Sequence, residues 1–262
     1  MVKRCKLPYN ARMNNVLKEL HLALVFMTRL PLPPLSDLPE GGLARSMRLF
    51  PLVGLVVGGL SAAAYALIHL ALPSSLAALA ALAAGLWVTG CLHEDGLADV
   101  ADGFGGGRDK ERKLEIMRDS RIGSYGVVAV AMSLLIRAAA LASFPGSWSA
   151  CAALVAAHAL SRAVIPGLMQ WLEPARADGL GQGAGQPSSS DALCAGLLAM
   201  GCAVLLLPLA TAVAAGLAAT VGAAVIGHLA KKHIGGHTGD VLGGCEQAAE
   251  VCALLAILAV GS

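Results

Sequence analysis

The chain has 262 residues, 56% of them hydrophobic and only 14% charged, with a formal net charge of +2. Soluble domains carry about 25% charged residues, so this composition excludes an ordinary soluble protein and points to a polytopic α-helical membrane protein. The net charge says nothing about nucleic acid, but the 4% aromatic content is too sparse for a base-stacking platform.

The first 48 residues hold Lys3, Arg4, Lys6, Arg12, Lys18, Arg29, Arg45 and Arg48. Asn14 to Leu30 predicts an amphipathic helix on the membrane surface, ended by Pro31-Leu32-Pro33-Pro34. The apolar stretch His21 to Met27 is short and has no small-residue cleavage site after it, so no removable signal peptide is expected. Leu49 to Leu72 lacks Asp, Glu, Lys and Arg and is long enough to span. Pro73 turns the chain, and Ser75 to Leu92 spans back. Residues 93–123 are the most charged segment, and Arg108 to Arg121 predicts an interfacial helix. Ser124 to Phe144 and Trp148 to Gln170 are two further spans, carrying Arg137 and Arg162, which need partners inside the bundle. Residues 171–191 form a polar loop containing Asp178-Gly179-Leu180-Gly181. Ala192 to Ala230 is too long for one span, and Pro208 suggests a hairpin of two. Residues 231–244 form a loop, and Cys245 to Val260 is the last span, with Glu246 and Glu250 at its head.

This predicts an all-α transmembrane bundle of about seven spans plus an N-terminal interfacial helix, in one integral-membrane domain. All lysines and arginines except Arg137 and Arg162 fall in residues 1–48, 93–123, 171–191 and 231–244, which alternating topology puts on one side. The positive-inside rule makes that side cytoplasmic. Trp87, Tyr125, Trp148 and Trp171 fall near predicted span ends, as an aromatic belt would. The Gly54-x-x-x-Gly58 spacing reads as a helix-packing surface. Of the seven cysteines, Cys5, Cys91, Cys151, Cys194, Cys202, Cys245 and Cys252, none forms a C-x-x-C pair, and they read as small apolar residues.

Chemistry concentrates in residues 93–107. Asp95, Asp99 and Asp102 lie at i, i+4 and i+7, one face of a helix. Carboxylates so placed repel unless a cation lies among them, and Mg²⁺ characteristically takes one or two carboxylates together with substrate phosphates. Gly96 and Gly103 leave backbone open beside the acids, which suits a bulky phosphorylated ligand. Asp240, in Gly235-Gly236-His237-Thr238-Gly239-Asp240, reads as a fourth acid or as a polar turn. Glu246 and Glu250 read as a second metal position or as groups that orient a base. Arg118 and Arg121 have the guanidinium fork that clamps phosphate oxygens, or face lipid headgroups. His93 reads as a general base or as a solvated span-end histidine, pointing away from the three-Asp face. Gly235 and Gly236 interrupt the His233/His237 spacing, so no zinc site is expected there.

Cys91-Leu92-His93-Glu94-Asp95-Gly96-Leu97-Ala98-Asp99-Val100-Ala101-Asp102-Gly103, Met117-Arg118-Asp119-Ser120-Arg121-Ile122-Gly123 and Gly236-His237-Thr238-Gly239-Asp240-Val241-Leu242-Gly243 together resemble the motifs of the cobalamin synthase family, the adenosylcobinamide-GDP ribazoletransferases. Thr28-Arg29-Leu30-Pro31 and Phe50-Pro51-Leu52-Val53-Gly54 resemble its N-terminal signatures, so the likeness is collinear over most of the chain. Glu94 stands where that family usually has an apolar residue, and His237 where glutamine is common. The resemblance implies a Mg²⁺-dependent inner-membrane enzyme with its active site on the cytoplasmic face. It would join adenosylcobinamide-GDP to α-ribazole or its 5′-phosphate and release GMP. It implies Asp95, Asp99 and Asp102 as metal ligands, with Asp240 and His93 completing the catalytic set. Arg118, Arg121, Gly96, Gly103, Thr238 and Glu246 would contact the substrate and its phosphates. It leaves room for a homo-oligomer or a complex with other cobalamin-assembly enzymes.

Two other readings compete. CDP-alcohol phosphotransferases also use an Asp-rich stretch at a membrane surface, but with an Ala-Arg pair and longer Asp spacing absent here. A cation-coupled transporter predicts mid-membrane acids and broken, repeated helices, whereas these acids cluster at one surface.

Overall fold

A backbone in lipid must satisfy its own hydrogen bonds, which leaves helices or a closed barrel. The computed structural model describes residues 14–33, 35, 37–176 and 184–261, and these form helices joined by short turns. Lys3, Arg4, Cys5, Lys6, Arg12 and the Asp178-Gly179-Leu180-Gly181 stretch lie outside the described residues. The helices are α1 (Asn15–Met27), α2 (Gly42–Ser46), α3 (Phe50–His69), α4 (Ser74–Thr89), α5 (Leu92–Gly106), α6 (Lys110–Ile116), α7 (Ser124–Ala142), α8 (Ser147–Trp171), α9 (Ser189–Leu206), α10 (Leu209–Ile234) and α11 (Gly239–Gly261). The cysteines among the described residues are all free.

Among the described residues, six helical stretches are long and apolar enough to cross a membrane alone: Gly42–His69, α7, α8, α9, α10 and α11. The seventh expected span differs. Its helix α4 has 16 residues, about 24 Å, and passes only together with α5, which leaves it at 90°. Gly90 (φ 65°) and Cys91 (φ 61°) are both left-handed and end α4 there. A helix turned 90° from its span and carrying four carboxylates is not itself a spanning segment.

Three boundaries also moved. The interfacial helix after the glycines is only α6, because Asp109 caps its start and a turn takes over at Met117. The last span begins at Gly239, not Cys245. Thr238 caps it by accepting the Val241 N–H at 3.2 Å, which puts Glu246 and Glu250 inside the helix. The N-terminal helix α1 is capped by Asn14 and turns Glu19 inward to Arg45 (3.3 Å) and Arg48 (2.7 Å). Val16, Leu17 and Val25 face outward instead, the polarity of a helix that meets lipid.

The aromatic anchors Trp87, Tyr125, Trp148 and Trp171 are all exposed. The most buried spans are α8 and α11, and small residues let neighbours reach them. A Cβ at Gly54 of α3 would overlap the His158 carbonyl of α8, and one at Gly58 would come within 2.8 Å of the Val155 Cα. The Gly-x-x-x-Gly spacing is therefore a crossing point of α3 and α8. Gly54→Val should cost about 1–3 kcal/mol or more, read as a lower unfolding temperature in detergent; an unchanged temperature would mean the crossing tolerates a side chain.

Candidate active site

The acid row lies on α5, with Asp95 exposed, Asp99 half-buried and Asp102 buried. Its position is set by α11. A Cβ at Gly96 would lie 2.7 Å from the Asp240 carbonyl and 3.2 Å from the Gly243 Cα. Only a glycine lets the two helices approach this closely, and the approach carries Asp240 to the acid row. The α11 backbone takes one side of Gly96, and Gly96 still lines the cavity that Asp95 and Asp240 share. At Gly103 the space a side chain would need is filled by Met117 and the Lys113 carbonyl.

Asp240 is held twice. The Thr238 hydroxyl donates to its Oδ2 at 3.1 Å, and Arg176 Nη2 lies 3.4 Å from the same atom. Arg176 arrives because the chain after α8 pairs with the chain before α11. The His237 N–H donates to the Glu173 carbonyl and the Ala175 N–H to the His237 carbonyl, both at 2.8 Å. A Cβ at Gly236 would overlap the Glu173 carbonyl, so this pairing needs glycine there. Thr238 is buried and fully used as cap and as donor to Asp240.

The row opens on a pocket at each end. Asp95 and Asp240 line a chamber of about 200 Å³ with His93, and its other wall is apolar, including Phe26, Met27, Met47 and Phe50. Asp102 lines an open pocket of about 280 Å³ with Asp119, Arg121, Ser124 and Tyr125. Seven residues of helix separate Asp95 from Asp102, about 10 Å along the axis, with Asp99 between them on the same face.

The acids differ in their partners. Asp102 accepts the Gly123 N–H at 2.6 Å and the Gly126 N–H at 2.9 Å, so it caps the start of α7. A Cβ at either glycine would overlap that carboxylate. Asp99 is raised to about 7 by burial, then by the charges of Asp240, Asp95 and Asp102. Four carboxylates with one facing guanidinium are short of positive charge. Oxygen donors in that surplus suit a hard divalent cation, so the donor set fits Mg²⁺. Asp95, Asp99 and Asp240 present the oxygens least committed to backbone.

Arg121 is exposed and bound to its neighbour Asp119 at 2.6 Å, and this pairing holds the Asp119 carboxyl down at about 2. Arg118 is exposed on the turn after α6.

Glu246 does not line the chamber. It is fully buried, bonded to Arg162 (2.9 Å), Ser161 (2.8 Å) and Gln247 (3.1 Å), and lies 3.4 Å from His93 Nδ1. Beside it, Glu250 meets Arg137 at 2.9 Å and His158 at 3.2 Å. Arg137 reaches on to Glu94 at 3.1 Å. Arg137 and Arg162 thus find the partners a membrane interior demands. The network ties α5, α7, α8 and α11 together. His93 is buried, not solvated, and joins the network to the chamber. His158, Glu246 and Glu250 also present one ligand atom each within 4.8 Å of one another. Two guanidiniums already fill that shell, so an ion-pair core describes it better than a metal site.

The family description cobalamin-5-phosphate synthase matches residues 19–258. The chain belongs to that family. Among its relatives, an adenosylcobinamide-GDP ribazoletransferase of Bradyrhizobium diazoefficiens is 43% identical over 252 residues, covering 95% of this chain and 96% of the relative. One of Mesorhizobium japonicum is 47% identical over 241 residues, covering 92% of each. A third, from Shewanella frigidimarina, is 41% identical, covering 94% of this chain and 97% of the relative. No solved structure matches the chain.

For this cobalamin-5-phosphate synthase family member, sequence reading missed Arg176 and underused Arg29. Arg176 sits in a polar loop without periodicity, and only the pairing with His237 brings it to Asp240. Arg29 lies in the Thr28-Arg29-Leu30-Pro31 signature. Its N–H donates to the Val88 carbonyl at 2.7 Å, and its guanidinium covers Gly90 so closely that any Cβ there would overlap it. The signature therefore packs on the bend that aims α5.

Proposed function

We propose that the chain is an adenosylcobinamide-GDP ribazoletransferase whose acid row on α5 is its phosphoryl-transfer site. The row of carboxylates opening on a pocket at each end carries this reading. Two substrates must meet at one phosphorus, and such transfer depends on positioning and charge neutralisation more than on covalent help. The flat apolar base of ribazole suits the chamber of Phe26, Phe50, Met27 and Met47, which turns its ribose toward Asp95 and Asp240. The guanosine diphosphate end suits the pocket of Arg121 and Ser124. A ribazole hydroxyl attacks the phosphorus attached to cobinamide, and GMP leaves. Asp95, Asp99 and Asp240 would hold Mg²⁺, with Asp102 steering from its cap on α7. Mg²⁺ when bound neutralises diphosphate charge. Arg176 keeps Asp240 oriented, and His93 at the chamber wall, backed by Glu246, accepts the hydroxyl proton. The basic residues on the same side as the acids favour the cytoplasmic face of the inner membrane.

Purified protein should release GMP only with both substrates and a divalent cation present, and chelator should abolish release. Release without the ribazole substrate, or undiminished in chelator, would overturn this reading.

A further inference from the structure

Away from the acids, α8, α9 and α10 enclose a groove of about 540 Å³, within the ~300–1,000 Å³ of small-molecule sites. Its α8 wall steps every three or four residues from Leu160 to Trp171, and its α10 wall from Val213 to Ala224. Thr220 supplies the one hydroxyl; every other lining side chain is apolar or glycine. The rim residues Val213 and Leu217 are exposed. The same helical step continues the α10 wall to Gly227 and Lys231. Gly227 faces the Trp171 ring, and Lys231 Nζ sits 5.9 Å over that ring. Lys231 and Lys232 are both exposed, and Lys110 of α6 approaches the next turn at Gly235. Asp191, at the start of α9, is taken up by Ser188. The groove therefore runs from an apolar trough to a cationic, aromatic mouth at the membrane surface.

We propose that this groove holds an acyl chain of an anionic phospholipid, with its phosphate at Lys231. The trough's one hydroxyl, on Thr220, donates to the Gly216 carbonyl at 2.8 Å and leaves nothing to direct a polar ligand, while the mouth supplies the positive charge that an anionic headgroup seeks. Basic residues between helices at a membrane surface select such headgroups, and a tryptophan fits the boundary between chain and headgroup. This site is independent of the transferase reading. At Gly167 and Gly196 an added Cβ meets nothing within 4 Å, so a side chain there would enter the groove without clash.

The test uses the full chain with Trp87→Phe and Trp148→Phe, which leaves Trp171 as the sole tryptophan. It is reconstituted in phosphatidylcholine vesicles carrying brominated phosphatidylglycerol or, at equal mole fraction, brominated phosphatidylcholine. Trp171 fluorescence should be quenched more strongly by the anionic lipid. The ratio of the two quenching curves should fall roughly fivefold for Lys231→Ala. Gly196→Leu, with Gly167→Leu as a second variant, should reduce quenching by both lipids while helicity stays unchanged. Equal quenching by the two lipids, quenching indifferent to both filled glycines, or Gly196→Cys cross-linking to a second copy would each overturn the proposal.

Discussion

Asp99→Asn should lower turnover by about 10²–10³-fold, the loss expected when one preorganised electrostatic contact to a reacting group is removed. The same substitution should not weaken the fold. Burial and three neighbouring carboxylates push Asp99 up to about 7, whereas a free aspartate titrates near 3.9. Between those values the native state keeps a proton that the unfolded chain gives up. Stability without metal therefore falls as pH rises through that window, and asparagine removes this penalty. The expected result is a split: GMP release collapses, while the unfolding temperature in chelator above neutral pH stays level or rises. An unfolding temperature that drops with activity would make Asp99 a structural residue.

The long apolar spans, the Pro208 hairpin and the Asp face were legible because each is a local signal. Charge-free runs mark spans, proline breaks them, and i, i+4, i+7 spacing needs only the chain itself. The right-angled bend was not legible. It depends on Cys91, a non-glycine residue at φ 61°, held where Arg29 packs over Gly90, and no apolar pattern announces that. Asp102 as a cap was hidden for a similar reason. Its partners Gly123 and Gly126 lie more than twenty residues away, and a carboxylate looks the same in sequence whether it takes amides or a cation. The glycines were legible in part. Gly96 and Gly103 do mark close approach, and the approaching group is α11 or α6. Sequence shows that a position needs room without showing what fills it.

Arg137→Met should destabilise the bundle by about 3–5 kcal/mol. Arg137 is 3% exposed and divides its guanidinium between Glu250 at 2.9 Å and Glu94 at 3.1 Å. Methionine fills the volume but leaves Glu94 without its cation and Glu250 with His158 alone, and that is the costly half of breaking a buried pair. Glu94→Leu should cost less, because Arg137 keeps Glu250. Arg137→Met combined with Glu94→Leu should recover part of the loss, since one of the stranded charges is gone, and this non-additivity is the signature of a direct pair. Arg137→Lys should fall between, since one ammonium cannot fork to two carboxylates held by different helices. Unfolding temperature and the yield of monodisperse protein in detergent report all four. If Arg137→Met unfolds with the native protein, the network does not brace α5, and the alignment of the acid row must come from its other contacts, Gly96 with α11, Asp102 with the start of α7 and Arg29 over the bend.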